Sequence, residues 1–363
     1  MTDLFDSFDL RGLLLSNRIV MSAMTRTRAT ESDVPTDVMR DYYVQRASAG
    51  LNVTECTQVS DQAHGIIRAP GLHRADQIAA WRGITDAVHA AGGRIYCQIW
   101  HCGRVAHPDM RGGEQPVGPS PKPATGDFFL PSGHVEFPVP RELRIDEIPG
   151  IMADFARATR NAREAGFDGV ELHGANGYLQ DQFLQDGSNR RTDAYGGPVE
   201  NRARLMLETT TAMIDAWSAD RVGVRLSPSS YLYGVDDSNK LETFAFVVRA
   251  LDTLRVGYLC LLEPNAKDAD RGVQISNVAE TFRLMTSVPI IVNTGFDKAK
   301  ADAVLASGSA DLVAFGVPYI ANPDLVERFR TNAVLNKPDP ATFYGVGARG
   351  YTDYPMLIPA RAA

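Results

Sequence analysis

Three polar residues of different chemistry, His173, Asn176 and Tyr178, follow the short apolar run from Gly169 to Leu172. The run reads as a buried strand and the glycine-containing stretch after it as a loop, so the three side chains emerge together at a strand end. His173 and Asn176 can both donate hydrogen bonds to one oxygen. A tyrosine, whose unperturbed pKa is near ~10, is protonated at neutral pH and able to give up that proton. The set suits polarising a carbonyl and protonating a carbon beside it. The plainer reading is a strand end whose His and Asn only cap a helix.

The residues that follow weigh toward chemistry. Ser-Asn-Arg-Arg-Thr-Asp-Ala-Tyr-Gly-Gly-Pro-Val-Glu-Asn-Arg, over 188–202, is a dense polar loop that runs into a helix. Farther on, Arg225 lies inside the apolar run from Val222 to Leu226. Burying an unpaired guanidinium costs several kcal/mol or more, so Arg225 needs either a buried carboxylate or an electron-rich ligand. His101, Cys102 and His107 raise the question of a metal, but their spacing matches no familiar ligand motif, and no metal site is expected.

Strand-like and helix-like segments alternate almost from end to end, which argues for parallel strands joined by right-handed helical crossovers. Strands are expected over 18–21, 51–57, 94–100, 169–173, 222–226, 258–262, 289–293 and 312–315. Helical stretches are expected over 36–49, 76–91, 148–165, 199–217, 241–253, 276–286 and 297–307. Asp76 reads as an N-cap, and Gly92, Gly166 and Gly308 as helix stops. Eight such units make an α/β fold, a (β/α)8 TIM barrel, and the whole chain of 363 residues fits one such domain. The proline- and glycine-rich stretch 108–144 breaks the rhythm after the third strand and reads as an inserted lid or subdomain, or else as a passive excursion.

With 44% hydrophobic and 22% charged residues the chain can bury a large core. A net charge of -7 gives no basic footprint for nucleic acid. No apolar run is long enough to span a bilayer, and the acidic N-terminus lacks the basic and apolar regions of a signal peptide, so a cytoplasmic location is expected. The four cysteines show no paired framework and are expected to be reduced.

The strand-end set His173, Asn176 and Tyr178 together with the 188–202 loop resembles the Old Yellow Enzyme family of FMN-dependent ene-reductases. The resemblance extends from Asn17-Arg18 through Tyr42-Tyr43 and Gln45-Arg46-Ala47-Ser48-Ala49-Gly50 to Gly350-Tyr351-Thr352-Asp353-Tyr354-Pro355. It implies bound FMN, with NADPH or NADH as hydride donor and an enone or nitroalkene as small-molecule substrate, in a monomer or homodimer. In the implied cycle, hydride passes through flavin N5 to the substrate β-carbon. His173 and Asn176 hold the substrate oxygen, and Tyr178 protonates the α-carbon.

The resemblance also assigns the remaining strand ends. Ala23, Met24 and Thr25 lie beside the flavin ring, with Thr25 donating to its carbonyl near N5, and Cys56 lies against it. Gln98 meets the mixed donor and acceptor edge of the pyrimidine, and Arg225 lies at N1, where charge accumulates on reduction. Trp100, Ile66 and Tyr344 line the substrate pocket. Thr294, Gly295, Gly316 and Val317, after the seventh and eighth strands, hold the phosphate through backbone N–H groups.

Two positions depart from the family. Val317 stands where an arginine is usual, which removes a charge-assisted phosphate contact. Ile66 stands where some relatives have tyrosine, which points toward less polar substrates. A flavin reductase of nitrate esters or nitroaromatics needs the same ring but no proton from Tyr178. A phosphate-binding barrel hydrolase or aldolase would also use the glycines after the seventh and eighth strands, and a flavin-binding protein without catalysis would fit the change at Val317. The lack of lysine at the strand ends counts against the aldolase.

Overall fold

The computed structural model describes residues 2–130, 132–272 and 274–357. Eight parallel strands, β1 Ile19–Met21, β2 Leu51–Val53, β3 Ile95–Trp100, β4 Gly169–His173, β5 Val222–Leu226, β6 Tyr258–Leu262, β7 Ile290–Asn293 and β8 Leu312–Phe315, follow one another around a ring. The ring closes because β8 pairs with β1. Nearly every residue of these strands is buried, which is why they read as continuous apolar runs rather than alternating ones.

Helices pack outside the ring. The longest, Ile148–Glu164, turns Ile148, Ile151, Phe155, Ala158, Thr159 and Ala162 toward the barrel, the three- and four-residue spacing of one helical face. The expected stops at Gly92, Gly166 and Gly308 hold, each with a positive φ. The N-cap expected at Asp76 does not. The helix spans Ala75–Ala90, and Gln77 reaches back to accept from the backbone N–H groups of His73 and Arg74 at 3.0 and 3.1 Å. Asp76 instead lies in the first turn, where a negative charge complements the helix dipole.

Further expected boundaries move for local reasons. The second strand breaks after Val53 and resumes at Thr57–Gln58, because beyond the Thr54 N–H, which still donates to the Tyr96 carbonyl at 2.9 Å, the ladder gives way to side-chain partners. The Thr54 hydroxyl accepts from the Gln98 N–H, and the Tyr43 hydroxyl from the Glu55 N–H, both at 3.0 Å. The helix expected over 199–217 divides into Val199–Arg202 and Arg204–Ala216.

An N-terminal hairpin, Phe8–Leu10 with Leu13–Leu15, was not expected from the sequence. Its Leu10 and Leu15 join Val20, Leu51, Val53, Tyr96, Tyr258, Ile291 and Leu312 in one buried cluster, plugging the end of the barrel opposite His173. The segment 108–144 contains a short parallel pair, Val117–Gly118 with Arg141–Glu142, and a hairpin, Asp127–Leu130 with Gly133–Glu136. Phe128, Leu130 and Phe137 bury themselves with Trp100, Cys102 and Tyr178. No helix among the described residues is long and apolar enough to cross a membrane.

Candidate active site

A cavity of about 430 Å³ opens at the carboxyl ends of the strands. Its walls bring together Ala23, Met24, Thr25, Cys56, Ile66, Gln98, His173, Asn176, Tyr178, Arg225, Gly316, Val317 and Tyr344, all candidates from the sequence. Pairing register explains part of this: His173 lies opposite Arg225, and Arg225 opposite Cys260, on neighbouring strands.

Three candidates sit elsewhere. Trp100 is fully buried, its ring edge-on behind Tyr178 with centroids 5.1 Å apart, so Tyr178 stands between it and the cavity. Thr294 and Gly295 also lie outside the cavity wall, with φ of 82° and 78°. Their neighbour Asn293 reaches the cavity in their place.

Arg225 has no carboxylate within ion-pair distance among the described residues. One guanidinium nitrogen donates to Asn293 Oδ1 at 2.7 Å, and another to Cys260 Sγ at 3.2 Å and Ser22 Oγ at 3.5 Å. Neutral acceptors orient the group without cancelling its charge, leaving a fixed cation at the cavity wall. Beside it, Gln98 donates to Glu171 at 2.6 Å and accepts from the Cys56 thiol at 3.2 Å. Tyr258 donates to the second Glu171 oxygen at 2.9 Å. Burial pushes the Cys56 thiol up to about 12, so it stays protonated.

At the end of β4 the chain turns through two successive left-handed residues, Asn176 at φ 59° and Gly177 at φ 76°. Asn tolerates that conformation better than most residues. At Gly177 a Cβ would meet the Leu232 carbonyl oxygen at 2.5 Å, so only glycine fits. The Asn176 N–H donates to Ser227 Oγ at 2.8 Å, which fixes the turn and leaves the amide on the cavity wall.

His173 and Tyr178 lie edge to face, ring centroids 5.1 Å apart. Burial, reinforced by the Arg225 charge, holds the His173 pKa well below its ordinary value, so the ring is neutral and one nitrogen keeps a donor proton. Imidazole NMR between about pH 5 and pH 8, the range where histidines ordinarily switch, should find His173 neutral throughout. A mid-range titration would remove the neutral donor. Burial also raises the Tyr178 pKa well above its ordinary value, with the Tyr233 phenol adding to the shift. Tyr178 is therefore a protonated phenol throughout that range.

Sequence reasoning missed Ser22, Arg26, Leu232, Tyr233, Asn293, Ile320 and Phe343 on the cavity wall. The Phe343 carbonyl accepts from Arg26 at 2.8 Å and from Arg28 at 2.9 Å, which pins the C-terminal segment carrying Tyr344. Neither Arg26 nor Arg28 was singled out, although two arginines beside the first strand end were a readable signal. His101 and Cys102 are buried away from this cavity, and among the described residues no three His, Cys, Asp or Glu side chains gather to hold a metal.

The sequence model of the NADH:flavin oxidoreductase / NADH oxidase family matches residues 3–336. Flavin oxidoreductase hxnT of Emericella nidulans is 40% identical over 97% of this chain and 97% of its own length. Among solved structures, morphinone reductase in complex with tetrahydroNAD superposes with a TM-score of 0.93 at 41% identity, covering 100% of both chains. The Old Yellow Enzyme homologue from Zymomonas mobilis gives 0.94 at 42% identity, over 98% of this chain and 100% of that one. With a family match across most of its length and the cavity at its strand ends, the chain belongs to the NADH:flavin oxidoreductase / NADH oxidase family and is an FMN-dependent NAD(P)H oxidoreductase of the Old Yellow Enzyme, ene-reductase type.

Proposed function

We propose that this enzyme reduces the activated C=C bond of α,β-unsaturated carbonyl or nitro compounds, with Tyr178 as the proton donor. The observation that carries the reading is one cavity holding a neutral His173, the Asn176 amide and a protonated Tyr178. These are two donors for one oxygen and one proton source beside them.

The walls suit the flavin. The cavity has the size usual for ligand pockets. Its floor is small where Ala23, Cys56 and Gly316 contribute, and the Arg225 cation, with no carboxylate in ion-pair distance among the described residues, suits a ring edge that gains negative charge. Gln98 and Thr25 supply donors for ring heteroatoms. When bound, FMN carries hydride from the nicotinamide to the substrate β-carbon.

The protein's own part is positioning and proton transfer. His173 and Asn176 hold the substrate oxygen while enolate charge develops on it, and donors fixed beforehand stabilise that charge without reorganising. Tyr178 gives its proton to the α-carbon, as a general acid placed within the same cavity. Arg225 is kept in place by Asn293, Ser22 and Cys260. Trp100 braces the Tyr178 ring from behind rather than touching substrate. Segment 108–144, standing on the cluster of Phe128, Phe137, Trp100 and Tyr178, serves as a lid within a single barrel domain. A cytoplasmic enzyme, monomeric or homodimeric, completes the reading.

Val317 bears on how tightly FMN is held. Val317 is 56% exposed at the cavity rim, and without the family arginine the phosphate relies on backbone N–H groups and on whichever cation lies nearby. A hydrogen bond to a charged group is worth roughly 1.5 to 3 kcal/mol, about ten- to a hundredfold in affinity. Val317→Arg should tighten FMN by that factor and leave riboflavin, which lacks the phosphate, unchanged. Titrating the apoprotein with both ligands checks this. Equal FMN affinity in wild type and variant would mean that another cation already serves the phosphate.

The experiment for the function is steady-state comparison of a cyclic enone, a nitroalkene and a nitrate ester. Reduction of the nitrate ester alone would favour the flavin reductase that needs no Tyr178 proton.

A further inference from the structure

A second cavity, of about 370 Å³, adjoins the first and shares Asn176, Leu232 and Tyr233 with it. Its other walls include Thr125 and Gly126 on the 108–144 segment and Asn265, Lys267, Asp268 and Arg271 after β6. Tyr233 stands on the partition with φ 57° and ψ 21°, a left-handed conformation that costs an ordinary residue strain. The Arg104 guanidinium donates to the carbonyls of Tyr233 and Gly234 at 3.1 and 3.2 Å, so the partition is held from within.

The charges in this cavity do not cancel. The Asp268 carboxylate is buried, and its two oxygens accept from the backbone N–H groups of Tyr231 at 3.3 Å and Asn265 at 3.1 Å. Lys267 and Arg271 are exposed at the rim, and among the described residues no carboxylate lies within 4.0 Å of either. A cavity that adjoins the reaction site and shares three wall residues with it, with two exposed cations at its outer end, suits a long anionic molecule whose reactive end lies in the first cavity. The nicotinamide donor is such a molecule. Its 2′-phosphorylated form carries an extra dianionic group on the adenosine half, for which a nearby arginine is a recurrent partner.

Resting on the reading that nicotinamide reduces this enzyme in the first cavity, we infer that Lys267 and Arg271 bind the phosphates of its adenosine half and favour NADPH over NADH. Both residues lie outside the catalytic set and are exposed, so replacing them leaves the fold and the flavin site intact.

The test uses holoenzyme in anaerobic stopped-flow reduction, giving a dissociation constant and a limiting rate for each nucleotide. Wild type should bind NADPH more tightly than NADH. The Lys267→Gln/Arg271→Gln double variant should weaken NADPH by about tenfold or more, the worth of charged hydrogen bonds. NADH should weaken much less, and both limiting rates should persist. Lys267→Arg should keep NADPH affinity. Added salt should erode the NADPH preference of wild type but not of the double variant, since exposed charges are screened. Titration with tetrahydroNADPH, which cannot react, provides a readout independent of turnover. Equal weakening of both nucleotides, or unchanged NADPH affinity, overturns the inference while leaving the ene-reductase reading intact. Failure of either nucleotide to reduce the wild-type flavin would instead sink the reading on which it rests.

Discussion

Tyr178→Phe slows enone reduction by roughly a hundred- to ten thousandfold, the usual worth of a general acid, while reduction of the bound flavin by nicotinamide stays close to wild type. The asymmetry follows from placement. Tyr178 is buried at 7% exposure, protonated, and edge-on to both His173 and Trp100, so losing the hydroxyl removes a proton without removing the ring that fills the space. Only the half-reaction that makes a C–H bond at the α-carbon needs that proton. Stopped-flow measurement of the two half-reactions separates the roles. An equal loss in both halves would make Tyr178 a support for the flavin or the fold.

Removing an oxygen donor has the second largest effect. His173→Ala and Asn176→Gly should each lower enone turnover by roughly a hundred- to a thousandfold, as loss of one preorganised donor to a developing oxyanion does. Glycine is the cleaner replacement at 176 because the backbone there has φ 59°, which alanine would adopt only with strain. Both variants should also bind para-substituted phenols more weakly, since a phenolate presents the same oxygen without reacting. Flavin content should persist. Unchanged phenol affinity in both variants would place the substrate oxygen somewhere else.

The barrel was legible where burial is complete. Strands expected over 169–173, 222–226, 258–262 and 312–315 keep those bounds, because a run covered on both faces is mostly apolar rather than alternating, with its few polar residues, Glu171, His173 and Arg225, near the end that faces the site. The run 51–57 misled because Thr54, Glu55 and Cys56 are buried too, but the ladder ends at the Thr54 N–H and side-chain bonds take over. The N-terminal hairpin escaped notice since its two strands of three residues carry too little alternation to stand out, although Arg11-Gly12 between them marks a turn.

In the site, residues at strand ends, such as His173 and Arg225, could be read from position alone. Leu232, Tyr233 and Phe343 could not: they reach the cavity from loops whose path depends on long-range contacts, notably the arginine-held carbonyls of Phe343 and Tyr233. Trp100 shows the limit of period-two reasoning. It shares strand parity with Gln98, yet the turn after β4 carries Tyr178 in front of it.

The most direct test of the central claim is sequential anaerobic mixing of the purified protein, first with NADPH or NADH and then with 2-cyclohexenone, while the flavin absorbance is followed. The account predicts a yellow protein whose visible band is bleached by the nicotinamide and restored by the enone at a rate that saturates with enone concentration. A colourless protein, or a bleached band that no enone restores faster than buffer alone, would contradict it.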